Sequence, residues 1–255
     1  MGLRLPRDAT GSRFPCDPAR VKVIACATVM EELEPRMPAA MARQVLDFGL
    51  HVRPGSLTAA LQAAIDASPC LDALLLGYGL CSRAVVGLRA THCRLVIPRV
   101  DDCIAIFLGS RGAYETQARG EPGTYYLTKG WIEAGDSPFD EADRLAARYG
   151  PEKAEWIVGQ MLRNYTRLAF INTGSRDLER YRERARAAAE RFGLRFEQIT
   201  GSSSLVERLL FGPWNRDCVV VERGDTVRYE AFAPEPAEPP EPAEPPAPLR
   251  AWAGG

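Results

Sequence analysis

Short apolar runs alternate with stretches of helical spacing along most of the chain. This alternation constrains the fold more than any other feature, because strands joined by helices pair in parallel and need cover on both faces. Residues 21–25 (VKVIA) read as a buried strand, and 30–48 carry apolar residues at helical spacing in spite of Pro35 and Pro38. Residues 50–52 are a candidate second strand, followed by a helix to about residue 67 with Ser56 as N-cap. Residues 71–76 (LDALLL) and 95–98 (LVIP) are the third and fourth strands, and 103–108 a helix.

The pattern then starts again. Residues 167–171 (RLAFI), 195–199 and 218–222 (CVVVE) read as strands, with helices over 177–192 and 203–210. FGLHVRPGSLTAALQAAI at 48–65 parallels FGLRFEQITGSSSLVERLL at 192–210, either from an internal duplication or as the chance likeness of two Rossmann-like units. The expected fold is α/β: two Rossmann-like lobes with mainly parallel sheets facing a central cleft. The division expected is a leader at 1–20, a first lobe at 21–110 and a linking segment at 111–164 with a helix over 139–162. A second lobe at 165–232 and a disordered tail at 233–255 follow, the tail because 8 of the 20 prolines fall in residues 234–255.

Lys+Arg 32 against Asp+Glu 33 leaves a net charge of −1, without the basic field of a nucleic-acid binder. The apolar runs fall short of the roughly 18 residues a membrane span needs, and the first residues lack the apolar core of a secretory signal. A cytoplasmic protein with no membrane and no nucleic-acid partner is expected. Seven cysteines in such a chain are poorly explained by a disulfide framework.

In a parallel α/β sheet, ligands bind beyond the carboxyl ends of the strands, where loops and helix N-termini gather polar groups. This rule sorts the thiols. Cys26 follows the first strand, Cys81 follows the third through Gly77-Tyr78-Gly79-Leu80, and Cys103 follows the fourth through Arg99-Val100-Asp101-Asp102. Cys70 and Cys93 precede their strands, Cys218 begins one, and Cys16 lies in the leader. Cys26, Cys81 and Cys103 are therefore the candidate ligands of zinc, iron or an iron–sulfur cluster, with a fourth position left for water or substrate. Each thiol taken singly also reads as a small core residue. His92 beside Cys93 falls on the wrong edge for that site. Asp102 is either a ligand-binding or general-base group or the cap of the following helix, and Cys103 is the thiol best placed for lowering by a helix N-terminus.

Gly77, Tyr78 and Gly79 let backbone approach a ligand closely. At the corresponding edge of the second lobe, Thr173-Gly174-Ser175 and Gly201-Ser202-Ser203 offer N–H and hydroxyl donors to a phosphate or carboxylate, or simply cap their helices. Tyr125, Tyr126 and Trp131 of the linking segment are placed to cover a small molecule in the cleft, or to pack between the lobes.

The motifs LGYGLCS (76–82), IPRVDDCIAIFLGS (97–110), GTYYLTKGWIE (123–133), NYTRLAFINTG (164–174) and GSSSLVERLLFGPW (201–214) resemble domain-of-unknown-function family 1638. The resemblance spans about residues 21–225. It implies a setting: members occur in methanogens and in anaerobic or metabolically versatile bacteria, often near genes for corrinoid-dependent methyltransferases. One-carbon metabolism, with a corrinoid protein or methyltransferase as partner, is what that implies. Relatives commonly carry His-Asp-Cys where this chain has Asp101-Asp102-Cys103, so a ligand role at position 101 does not carry over, whereas Cys103 does. The leading expectation is thus a metal- or iron–sulfur-binding protein acting as an enzyme on a small anionic metabolite. A metabolite-binding or accessory module with structural cysteines is the alternative, and a thiol-based transferase using Cys103 a third.

Overall fold

The computed structural model describes residues 16–68, 71–81, 83–135, 137–174 and 177–233. The tail from residue 234, the leader to residue 15, Cys70 and Ser175 lie outside the described residues. The chain runs β1 (Val21–Cys26), α1 (Ala27–Leu33), β2 (Ala42–Leu46), α2 (Pro54–Asp66), β3 (Ala73–Gly77), β4 (Arg94–Pro98), α3 (Ile104–Leu108), α4 (Arg111–Gly120) and β5 (Thr124–Leu127). It continues with α5 (Lys129–Ala134), α6 (Pro138–Tyr149), α7 (Pro151–Leu162), β6 (Arg167–Asn172), α8 (Leu178–Arg191), β7 (Arg195–Thr200), α9 (Ser204–Phe211) and β8 (Cys218–Val221). The fold is mixed α/β with two sheets: a five-stranded one in the order β2-β1-β3-β4-β8, and a three-stranded parallel one in the order β5-β6-β7. The first is parallel except for β8, which runs antiparallel to β4.

The strand order carries the main functional consequence. From β1 the chain passes to β2 on one side and later to β3 on the other, so the loops leaving β1 and β3 diverge. Such a switch point opens a crevice at the carboxyl edge of a parallel sheet. Cys26 ends β1, and Cys81 follows β3, at that crevice.

β1 and β3 are buried along almost their whole length, as the continuous apolar runs VKVIA and ALLL require of strands covered on both faces. Elsewhere the structure departs from the sequence reading. The helix expected over 30–48 ends at Leu33, because Pro35 has no N–H to continue the ladder, and the chain then forms β2. The strand expected at 50–52 is a 3-10 turn, Phe48–Val52. Ser56 lies inside α2, which starts with Pro54 after Arg53. The single helix over 139–162 is two, broken where Gly150 takes a positive φ of 85° and Pro151 opens α7. β8 joins the first sheet beside β4 instead of extending the second.

The small sheet is packed on both faces, and β6 shows how. Leu168 and Phe170 point into a core with Val158 and Leu162 of α7 and Tyr181 and Ala185 of α8. The alternate residues, Ala169 and Ile171, point into the large core built on β1, β3 and β4. The period of two along a strand thus ties the sheets together through shared apolar packing.

Candidate functional site at the switch point

Two backbone hydrogen bonds bring the β3 and β4 loops together: Leu80 N–H donates to the Val100 carbonyl at 2.9 Å and Cys81 N–H to that of Asp101 at 3.1 Å. Gly79 makes this approach possible. A Cβ there would meet the Val100 carbonyl oxygen at 2.8 Å and Val100 Cγ2 at 2.9 Å. Gly77 serves a similar end, since a Cβ on it would lie 2.7 Å from that of Ala25 in β1. Both glycines therefore bring protein to protein, where the sequence suggested protein to ligand. Cys81 itself has a positive φ of 44°, an uncommon conformation for a residue with a side chain.

Cys26, Cys81 and Cys103 meet at this edge, close enough to perturb one another. Cys103, the residue that opens α3, has its thiol held well above the ordinary value, first by hydrogen bonding to the Cys81 side chain, then by burial and by the Cys81 and Cys26 sulfurs. Burial raises the Cys26 thiol as well, with the Cys81 sulfur adding to it. The Thr28 hydroxyl, 3.1 Å from Cys26 Sγ, opposes that rise. A thiol lowered by the N-terminus of α3 is therefore not found at Cys103. Five-residue α3 contributes little dipole, whereas burial and neighbouring sulfurs disfavour the thiolate.

Tyr78 lies in the field of all three sulfurs, which together with burial push its phenol upward. Its side chain is 1% exposed, and its hydroxyl has no hydrogen-bond partner among the described residues. A buried polar group in that state is costly, and orphaned hydroxyls are rare in folded proteins. His51 stacks on Tyr78 with ring centroids 5.8 Å apart, and its Nε2 is likewise buried and unpartnered. Burial lowers the His51 pKa, disfavouring the imidazolium. Local sequence does not single out His51, because only the stacking of its turn on the β3 loop brings it to the site.

Beside the thiols lies a cavity of about 340 Å³. Asp102, Tyr125, Tyr126 and Trp131, all expected at a substrate site, line it together with Phe48, Tyr114, Thr124 and Tyr165. Asp102, one residue before the N-cap Cys103, accepts a hydrogen bond from Ile104 N–H, the first amide of α3, at 2.7 Å. Its carboxyl is raised by burial, against the pull of the Ile104 amide and the Tyr114 hydroxyl. The Tyr114 phenol is pushed up to about 12, by burial first and the Asp102 charge next. Asp101 faces away and pairs with Arg111 at 3.1 Å. Phe48 joins the cavity to the thiol side, since its ring lies 5.3 Å from that of His51.

The donors of the second sheet are placed elsewhere and are engaged. Thr173 donates its hydroxyl to Glu32 of α1 at 2.7 Å, and Gly174 N–H donates to the Asn172 side chain at 2.9 Å. Gly201 and Ser202 give their amides to the carbonyls of Asn172 and Phe107. A Cβ on Gly201 would lie 2.8 Å from the Phe107 oxygen, so this loop too is set by close packing. The Ser202 and Ser204 hydroxyls bond each other at 2.8 Å, and the Ser203 hydroxyl donates to Glu207 at 2.7 Å. The donors of these loops are thus taken up within the protein, with Glu32 beside the first loop and Glu207 beside the second. Neither N-cap residue, Asp177 of α8 or Ser203 of α9, makes a side-chain capping bond.

Thiolates are donors suited to a soft metal, whereas the Tyr78 phenol is a hard oxygen donor. As the side chains stand, no group of three His, Cys, Asp or Glu among the described residues is arranged to hold an ion. Among the described residues no helix is long and apolar enough to cross a membrane.

No curated protein and no solved structure matches the chain. The family described as "Protein of unknown function (DUF1638)" matches residues 45–210, a span holding Cys81, Cys103 and the aromatic cavity, and the chain belongs to that family.

Proposed function

We propose that the chain binds a soft metal ion or iron–sulfur cluster through Cys26, Cys81 and Cys103, and acts on a small molecule held in the adjacent aromatic cavity. The observation that supports this reading is the mutual perturbation of three thiols from three different βα loops, around the unpartnered hydroxyl of Tyr78. A bound metal supplies Lewis-acid or electron-transfer chemistry there. The protein's own part is to bring the thiols together at a dry edge, to release their protons as the site loads, and to hold the substrate against Asp102 and Tyr114. The same reading takes the two sheets as two Rossmann-like lobes with the ligand between them. One-carbon metabolism beside a corrinoid protein or methyltransferase is the setting that the family resemblance lends it.

One observation favours a second reading, a metabolite-binding module whose thiols are structural. The three sulfurs are not grouped as a formed metal site, and Cys26 and Cys103 are buried and raised. Anaerobic purification followed by iron, zinc and cobalt analysis and a visible spectrum separates the two. The first reading expects metal in stoichiometric amount, lost in Cys81→Ser. A metal-free protein whose Cys81→Ser variant behaves like the parent leaves the second.

A further inference from the structure

An anionic ligand does not suit the lining of the cavity beside the thiols. Phe48, Tyr114, Tyr125, Tyr126, Trp131 and Tyr165 contribute six aromatic side chains to it, and among the described residues its one charged lining residue is Asp102. The rings are braced rather than loose. Tyr125 stands edge-on to Tyr165 at 5.2 Å, Tyr114 meets Tyr126 at 6.3 Å, and Trp131 meets Phe107 at 5.4 Å. Aromatic faces carry negative potential and hold cations, most strongly where water is excluded.

The neighbouring cations are already matched. Arg167, behind Thr124, gives hydrogen bonds to Thr124 at 2.8 Å and Gln117 at 2.9 Å and pairs with Glu197 at 3.0 Å. Arg111 is bound to Asp101 and Glu115. The carboxylate of Asp102 is thus left to set the sign of the field in the cavity, held in place by Ile104 N–H.

We infer that this cavity binds a small organic cation, a methylated or quaternary ammonium group seated among the rings with its charge matched by Asp102. The inference rests on the cavity assigned above as the place of the small molecule and gives that molecule its chemical class; it does not depend on the metal. A volume of about 340 Å³ lies at the small end of ligand cavities and suits a compact cation.

The experiment is calorimetric titration of the full chain, without added metal, with choline, with its uncharged carbon isostere 3,3-dimethylbutan-1-ol, and with acetate. Choline should bind at least about tenfold more tightly than the isostere, the scale of a desolvated cation–π contact, and acetate should not bind. Asp102→Asn keeps a side-chain oxygen able to accept from Ile104 N–H, so it should fold and weaken choline more than the isostere. Trp131→Leu should weaken choline more than the isostere. Equal binding of choline and the isostere by the parent, binding of acetate in place of choline, or no choline binding each overturns the inference. A chain that retains metal on its thiols yet ignores choline overturns the inference alone. A chain that binds choline but holds no metal overturns only the metal reading.

Discussion

The Cys81 amide donates to the Asp101 carbonyl at 3.1 Å, and this contact sets the β3 loop against the β4 loop two residues before Cys103. A left-handed φ at Cys81 and the bare Cα of Gly79 are its conditions. The convergence of the thiols is therefore a property of backbone packing between loops, and variants should reveal it as such.

Gly79→Ala tests that packing most directly. The new Cβ would press on backbone at Val100, which yields less readily than a side-chain end, so a loss of about 1 to 3 kcal/mol in unfolding free energy is expected. Disulfide formation between Cys81 and Cys103 under mild oxidation should slow in the folded variant. Unchanged stability together with unchanged oxidation would mean the loops are not held this way.

Tyr78→Phe removes a hydroxyl that is buried and unpartnered. The metal-free protein should be no less stable and should gain up to about 1 kcal/mol, while retention of metal or ligand weakens. A lower melting temperature for the metal-free variant would show that the hydroxyl has a structural partner.

The thiols give the protein an alkaline limit. Burial raises Cys26 and pushes Cys218 up to about 12, and the hydrogen bond with Cys81 together with burial raises Cys103, so the folded chain keeps these protons after the unfolded chain has lost them. Their contribution is whole below an unfolded thiol value of about 8.5 and is lost as pH rises toward the folded values. Stability should fall from about pH 9 to about 12, by at most about 1.4 kcal/mol per pH unit for each thiol, and Cys218→Ala should flatten the slope in thermal melts. Alkylation by iodoacetamide at pH 7 should accordingly be slow at Cys26 and Cys103. Fast labelling of either at neutral pH would contradict the burial that raises them.

Arg167 is the buried cation behind the cavity, its side chain 2% exposed against 39% for its partner Glu197. Glu197→Ala strands that charge and should cost about 3 kcal/mol, less whatever solvent screening at the exposed carboxylate had already removed from the pair. Adding Arg167→Met should restore part of the loss. A double variant less stable than Glu197→Ala would argue that Arg167 is satisfied by Thr124 and Gln117 alone.

Local patterning in the chain determined the buried strands and the edge on which Cys26, Cys81 and Cys103 fall; Cys218 begins its strand, yet because β8 runs antiparallel it pairs with Pro98 at the carboxyl end of β4. VKVIA, LDALLL, LVIP and RLAFI are apolar runs that only a covered sheet accommodates, and a cysteine after such a run must lie at its carboxyl end. The tyrosines and tryptophan of 123–133 were likewise recognisable as candidates, because glycine-spaced aromatics are unusual in a plain connection.

Tertiary structure decided the rest, because those features depend on partners distant in sequence. β2 is an edge strand, so ARQVL needs little apolar content and carried little signal. β8 repeats the composition of a parallel strand, yet it pairs antiparallel with β4, more than a hundred residues away. His51 reaches the site through ring stacking, the donors of the Thr173 and Ser202 loops are consumed by Glu32 and Phe107, and the cavity forms where β5 and the α3 loop come together with Phe48, Tyr114, Trp131 and Tyr165. Hydrophobic period is written residue by residue, whereas pairing, loop contact and enclosed space arise only when the whole chain has chosen one arrangement.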